Sequence, residues 1–228
     1  MSLNTIANCR KDVEEILRRN HFLLEFSYPT LYDGYQSALP FKKFKQNAGE
    51  QFNDYLNLYL LKKGMPKMSE MLTKKFKQSL FELFKNAELH ASSKSGIFVC
   101  GQYYHLTKKL SFTLSDAGVG IHNNVHKFLK KEISDIDSIK WALEEGNSTR
   151  ENDQPGGIGL KLIKNFMKLN GGKVQIVSGL GYYEFNDSNE HFRTMTHSFP
   201  GTCVNIEINT NDSKSYYLRS ELNFTDIF

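Results

Sequence analysis

Glu82 and Asn86 stand four residues apart in Phe81-Glu82-Leu83-Phe84-Lys85-Asn86-Ala87, a segment with the pattern of a helix. Four residues bring the two side chains within roughly 40° of each other on the helix surface, so an acid and an amide leave it together. Such a pair can bond along the surface. It can also do chemistry: the amide oxygen enters the octahedral shell of Mg²⁺, while the carboxylate orients or deprotonates a water or a hydroxyl. Magnesium keeps several waters, so one Asn plus phosphate oxygens would suffice.

Two glycine loops follow. Asp116-Ala117-Gly118-Val119-Gly120 ends a strand-like run, and its glycines let the backbone turn sharply and approach a flat ligand. A carboxylate at Asp116 accepts a hydrogen bond from an exocyclic amine such as that of adenine, although Asp-Ala-Gly is also ordinary turn chemistry. Gly156-Gly157-Ile158-Gly159-Leu160 opens a second helix, whose unpaired first amides and partial positive charge suit phosphate. Neither loop is a P-loop, and the full dinucleotide fingerprint with its parallel βαβ frame is missing. An acid and an amide on a helix, then two separate glycine loops, describe a nucleotide pocket.

Together the three motifs resemble the GHKL superfamily of ATPases: gyrase-type topoisomerases, heat-shock chaperones, histidine kinases, mismatch-repair ATPases and anti-sigma-factor kinases. Phe81 to Ala87 with His90-Ala91 is similar to the family's N-box. Asp116 to Gly120 is similar to its Asp-x-Gly-x-Gly box, Gly157 to Leu160 to its second glycine box, and Gly201-Thr202 to the Gly-Thr that closes the adenine side. The likeness covers about residues 69 to 208. It implies that Asn86 chelates Mg²⁺, Asp116 binds the adenine amine, Gly118 and Gly120 line the base pocket, and Gly156, Gly157, Gly159 and Leu160 form the phosphate end. Thr202 would support Asp116, and Glu82 would be the general base of a hydrolysing or phosphoryl-transferring enzyme. The loop Gly146 to Pro155 would be the ATP lid, where Ser148, Thr149 and Arg150 face the γ-phosphate. Leu89 stands where kinase-type members often carry Lys, and Lys85 is its nearest basic neighbour.

The implied fold is a two-layer α/β sandwich: a mixed, mostly antiparallel sheet with helices on one face, and ATP between helices and lid. The expected division is an N-terminal extension over 1–68, an ATP-binding domain over 69–208 and a tail over 209–228. ATP, Mg²⁺ and a protein partner or substrate are the expected associates, and a homodimer is compatible. The alternative is a non-catalytic, ATP-dependent switch. A stand-alone histidine kinase is disfavoured because His21 is the one histidine before residue 69, and a topoisomerase or chaperone because of length.

The elements that must position these motifs read as follows. Helices are expected over 5–19, Gly49 to Lys62, Ser69 to about Ala91 with Ser69 as N-cap, Val125 to Lys130, Ile136 to Glu144, and Ile158 to Leu169. Strands are expected over Phe22 to Tyr28, Ile97 to Cys100, Leu106 to Leu114, Lys173 to Ser178, Thr194 to Phe199 and Gly201 to Ile208. Residues 30–45 read as a connection and Tyr182 to Phe192 as a turn or loop. Composition supports a soluble protein: 228 residues, 39% hydrophobic, 24% charged, net charge +4. Interspersed acids and bases do not favour nucleic-acid binding. Three widely spaced cysteines, a polar start and no long apolar run point to a cytoplasmic protein away from the membrane.

Overall fold

The computed structural model describes residues 9–90, 95–149 and 158–222. Helix α1 (Lys11–Arg19) has Asp12 and Glu14 in its first turn and Arg18 and Arg19 in its last, the order that its dipole favours. The strand expected over Phe22 to Tyr28 is instead a short 3₁₀ turn, Phe22–Phe26. His21 and Ser27 on either side have positive φ, which curls the segment so that Leu23 is fully buried and Phe22 meets Phe41 edge-on.

The stretch 30–45 holds a strand that its Pro conceals in the sequence, β1 (Ala38–Phe44). Its pairing breaks register between Leu39 and Lys42, so Pro40 sits at the irregularity, where a missing N–H costs no ladder bond. Helix α2 (Gly49–Tyr55) runs on as a wider π turn, Leu56–Leu60, which buries Phe52, Tyr55, Leu56 and Leu60. After the two-residue strand β2 (Lys67–Met68), the Ser69 hydroxyl accepts the Leu72 N–H as the expected cap. Helix α3 (Glu70–His90) then buries Leu72, Phe76, Leu80 and Phe84 along one stripe.

Strands β3 (Ile97–Tyr104) and β4 (Lys109–Asp116) form a hairpin, followed by helices α4 (Gly120–Leu129), α5 (Asp135–Leu143) and α6 (Ile158–Asn170). The chain closes the sheet with β5 (Lys173–Asn186) and β6 (Asn189–Asn209), and β7 (Ser215–Tyr216) pairs in parallel with β2. The main sheet has the order β1-β3-β4-β6-β5 with every neighbour antiparallel. Residues 38–60 contribute to the same hydrophobic core as α3, α6 and the sheet.

Tyr182 to Phe192, expected as a loop, is the end of a long β5–β6 arm. Asp187 and Ser188 both have positive φ, the geometry of a tight two-residue hairpin turn, so the strands run up to it from both sides. Register breaks at Gly179 and Gly181, where α5 packs so closely that a Cβ on Gly181 would lie 2.7 Å from Ile139 Cδ1. Tyr183 and Phe185 of the arm are buried.

Side chains on β4 alternate strictly: Leu110, Phe112, Leu114 and Asp116 point to the helices, the residues between them to the other face. That second face is polar: Ser111 and Thr113 donate to Asn205 Oδ1 at 2.9 and 2.8 Å, and Asn205 donates to Gln175. The architecture is therefore the two-layer sandwich expected, helices packed on one face of an antiparallel sheet. Among the described residues no helix is long and apolar enough to cross a membrane.

Candidate functional site

Register places inward-facing residues of β4, β6 and β5 side by side in successive rungs. Phe112, Ile206 and Val174 make a rung inside the core, and Leu114, Val204 and Ile176 make the next. The last rung is polar: Asp116, Thr202 and Ser178. At this level the sheet outruns its apolar cover and a cavity opens between sheet and helices. Its volume is about 190 Å³, several times the ~30 Å³ share of one water, so it is sized for a ligand. The Leu114, Val204, Ile176 rung is its floor.

Glu82, Asn86, Asp116, Gly120, Thr149, Gly159, Leu160 and Thr202 all line this cavity. Residues separated by more than a hundred positions thus converge on it. Gly118 stands beside it with its N–H donated to Asp116 Oδ1 at 2.8 Å. Gly156, Gly157 and Arg150 lie outside the described residues. The described start of the expected lid, Asn147 to Thr149, also lines the cavity, with Asn147 held by donation to the Trp141 carbonyl at 2.9 Å.

Asp116 is 5% exposed. Burial drives its carboxyl pKa up, and the backbone N–H groups of Gly118 and Thr202 pull it partly back. A buried carboxylate with room on its cavity side is an acceptor suited to an N–H donor. The loops around it depend on missing side chains. Gly201, at φ +97°, would put a Cβ 2.2 Å from the Asp116 carbonyl oxygen and 2.7 Å from the Gly118 nitrogen. Gly120, at φ +79°, would put one 3.0 Å from Ser178 Oγ.

On the helix side, Glu82 and Asn86 come from α3 together with Leu83 and Ala87, which supply apolar wall. A Cβ on Gly159 would lie 2.6 Å from Glu82 Oε2 and 3.2 Å from the backbone of Ser79. Glycine there lets the first turn of α6 press against α3 and brings the Glu82 carboxylate to that helix's positive end. Among the described residues there is no group of three or more His, Cys, Asp or Glu placed to hold a metal ion. Lys85 is turned elsewhere: it pairs with Glu88 at 2.6 Å and lies over the Phe81 ring. Leu89 is exposed. His122 donates its Nε2–H to the Ile133 carbonyl at 2.9 Å, so its ring serves the α4–α5 connection.

Sequence reasoning missed the α4–α5 wall, made by Ile121, Asn124, Val125, Ile139 and Trp141, and it missed Ser178. The signal for Ser178 was present as phase. Val174 and Ile176 mark the inward positions of β5, and the next inward position is a serine. Neither a family model nor a curated protein matches the chain.

Proposed function

We propose that the cavity binds Mg·ATP and that the protein transfers the γ-phosphoryl group to water or to a protein partner, in the manner of the GHKL ATPases that its motifs resemble. One observation carries the reading: a buried carboxylate, Asp116, shares one cavity with the Glu82–Asn86 pair of α3 and the first turn of α6. Asp116 accepts the exocyclic amine of the base, and the floor of Leu114, Ile176 and Val204 takes its apolar face. Asn86 offers its amide oxygen to the metal. When bound, Mg²⁺ would neutralise phosphate charge. Glu82, held at the same end by the tight α3–α6 approach, takes the proton of the attacking hydroxyl or water. The polar rim and closed apolar floor fit these groups, and the donor set suits a hard cation that shares its oxygens with phosphate.

The second reading, a switch that binds ATP without turnover, is favoured by the lid: Ser148 and Thr149 already face the cavity, so a nucleotide would contact the segment that joins α5 to α6. Turnover in the presence of candidate partner proteins separates the two.

Asp116→Asn tests the pocket itself. The substitution removes a charge-assisted hydrogen bond of about 1.5–3 kcal/mol, so Mg·ATP affinity should fall about 10- to 100-fold in calorimetric titration. The ligand-free variant should melt higher than wild type at neutral pH. The sign follows from the raised carboxyl pKa: burial makes the ionised form costlier in the folded than in the unfolded chain, so the stability contribution is complete below the ordinary carboxylate range and is lost as pH rises through the raised value. Asn has the shape of the protonated acid and does not ionise. The difference in Tm should therefore shrink as pH falls below the carboxylate range. Unchanged ATP affinity would remove the nucleotide assignment.

A further inference from the structure

Ser178 is 1% exposed, and its single hydroxyl touches three backbone or side-chain groups from both loops that frame Asp116. The Ile121 N–H donates to Ser178 Oγ at 2.8 Å, at the start of α4 just after Gly120. Ser178 Oγ donates to the Gly201 carbonyl at 3.0 Å. Thr202 Oγ1 lies 3.2 Å from the same oxygen.

Counting protons fixes the direction of the third bond. A serine hydroxyl has one proton and two lone pairs. The Gly201 carbonyl has no proton to give, so the Ser178 proton goes to it, and Ile121 occupies one lone pair. The Thr202 hydroxyl must then donate to the second lone pair. Its own proton is spent inside the sheet, and it turns lone pairs toward the cavity that it lines. Asp116, its neighbour in the same rung, is an acceptor as well.

We propose that Ser178 is a specificity-positioning residue: by consuming the Thr202 proton it leaves both Asp116 and Thr202 of the last rung as acceptors toward the purine 6-substituent, selecting a 6-amino group over a 6-oxo group. This rests on the reading that the cavity takes a purine nucleotide. Ser178 touches no ligand in this scheme and acts through Thr202 and through the Gly201 carbonyl. Removing its hydroxyl frees Thr202 to rotate and to donate to a 6-oxo group.

The test measures dissociation constants of Mg·ATP and Mg·ITP, which differ at the purine 6-position, for wild type, Ser178→Ala, Ser178→Thr, Thr202→Val and the double variant Ser178→Ala/Thr202→Val. Ser178→Ala should narrow the ATP preference about fivefold, the worth of one neutral hydrogen bond, while Ser178→Thr keeps the wild-type ratio. In the Thr202→Val background, Ser178→Ala should change the ratio no further, because the residue acts through the hydroxyl already removed. A merely structural role for Ser178 would weaken both nucleotides equally. An unchanged ATP-to-ITP ratio in Ser178→Ala, or in Thr202→Val should Ser178→Ala not fold, overturns the proposal while ATP binding by wild type stands. Failure of wild type to bind either nucleotide overturns the cavity reading itself, and this proposal with it.

Discussion

Glu82→Gln should leave Mg·ATP bound and lower its turnover about 10²- to 10⁴-fold, the usual contribution of a positioned general base. The glutamine keeps the shape that fits beside Gly159, where an added Cβ would lie 2.6 Å from the Glu82 carboxylate, so α3 and α6 should keep their spacing. Only the ability to take a proton is lost. Single-turnover assays with and without a partner protein, paired with calorimetric titration, separate the two quantities. Equal turnover by the variant and wild type would strip Glu82 of the base role. Tight binding with no turnover in either protein, with any partner supplied, would leave the switch as the function.

Gly201→Ala should destabilise the protein by on the order of 3 kcal/mol or more, a fall in Tm of about 6–12 °C for a chain of this size. Two costs combine. An L side chain at φ +97° is strained by itself, and the added Cβ would meet backbone atoms of Asp116 and Gly118, which cannot swing away as a side-chain tip can. Relief requires β4 and β6 to part at the Asp116–Thr202 rung, so ATP affinity should fall along with stability. Gly171→Ala is the matched control: its φ is +69° and nothing lies within 4 Å of the added Cβ, so it carries the backbone strain alone. If both variants lose the same stability, the contact with the Asp116 loop is not what makes Gly201 necessary.

The helix carrying Glu82 and Asn86 was legible because its signals are local. Ser69 caps it with its own hydroxyl, and Leu72, Phe76 and Leu80 repeat at helical spacing whatever packs on them. The helix from Ile158 was legible for the same reason. Phe22 to Phe26 misled because an aromatic run resembles a strand, whereas two left-handed residues decide its curl. The strand Ala38–Phe44 was hidden by Pro40, which a register break tolerates and a regular ladder would not. The arm beyond Ser178 was hidden because its cover is non-local: Tyr183 packs on Phe192 across the hairpin, and Lys164 of α6 lies over the Phe185 ring.

The sequence by itself determined the parts of the site: an acid and an amide one helical turn apart, an aspartate at a strand end, glycines where the backbone must turn. Those are properties of short segments, set by side-chain chemistry and local φ, ψ freedom. Only the tertiary structure decided that they share one cavity, that Asp116 is buried there, and that Ser178 joins the two loops around it. Each of these depends on strand register across β4, β6 and β5, which is set by the packing of the whole sheet on its helices and by no segment alone.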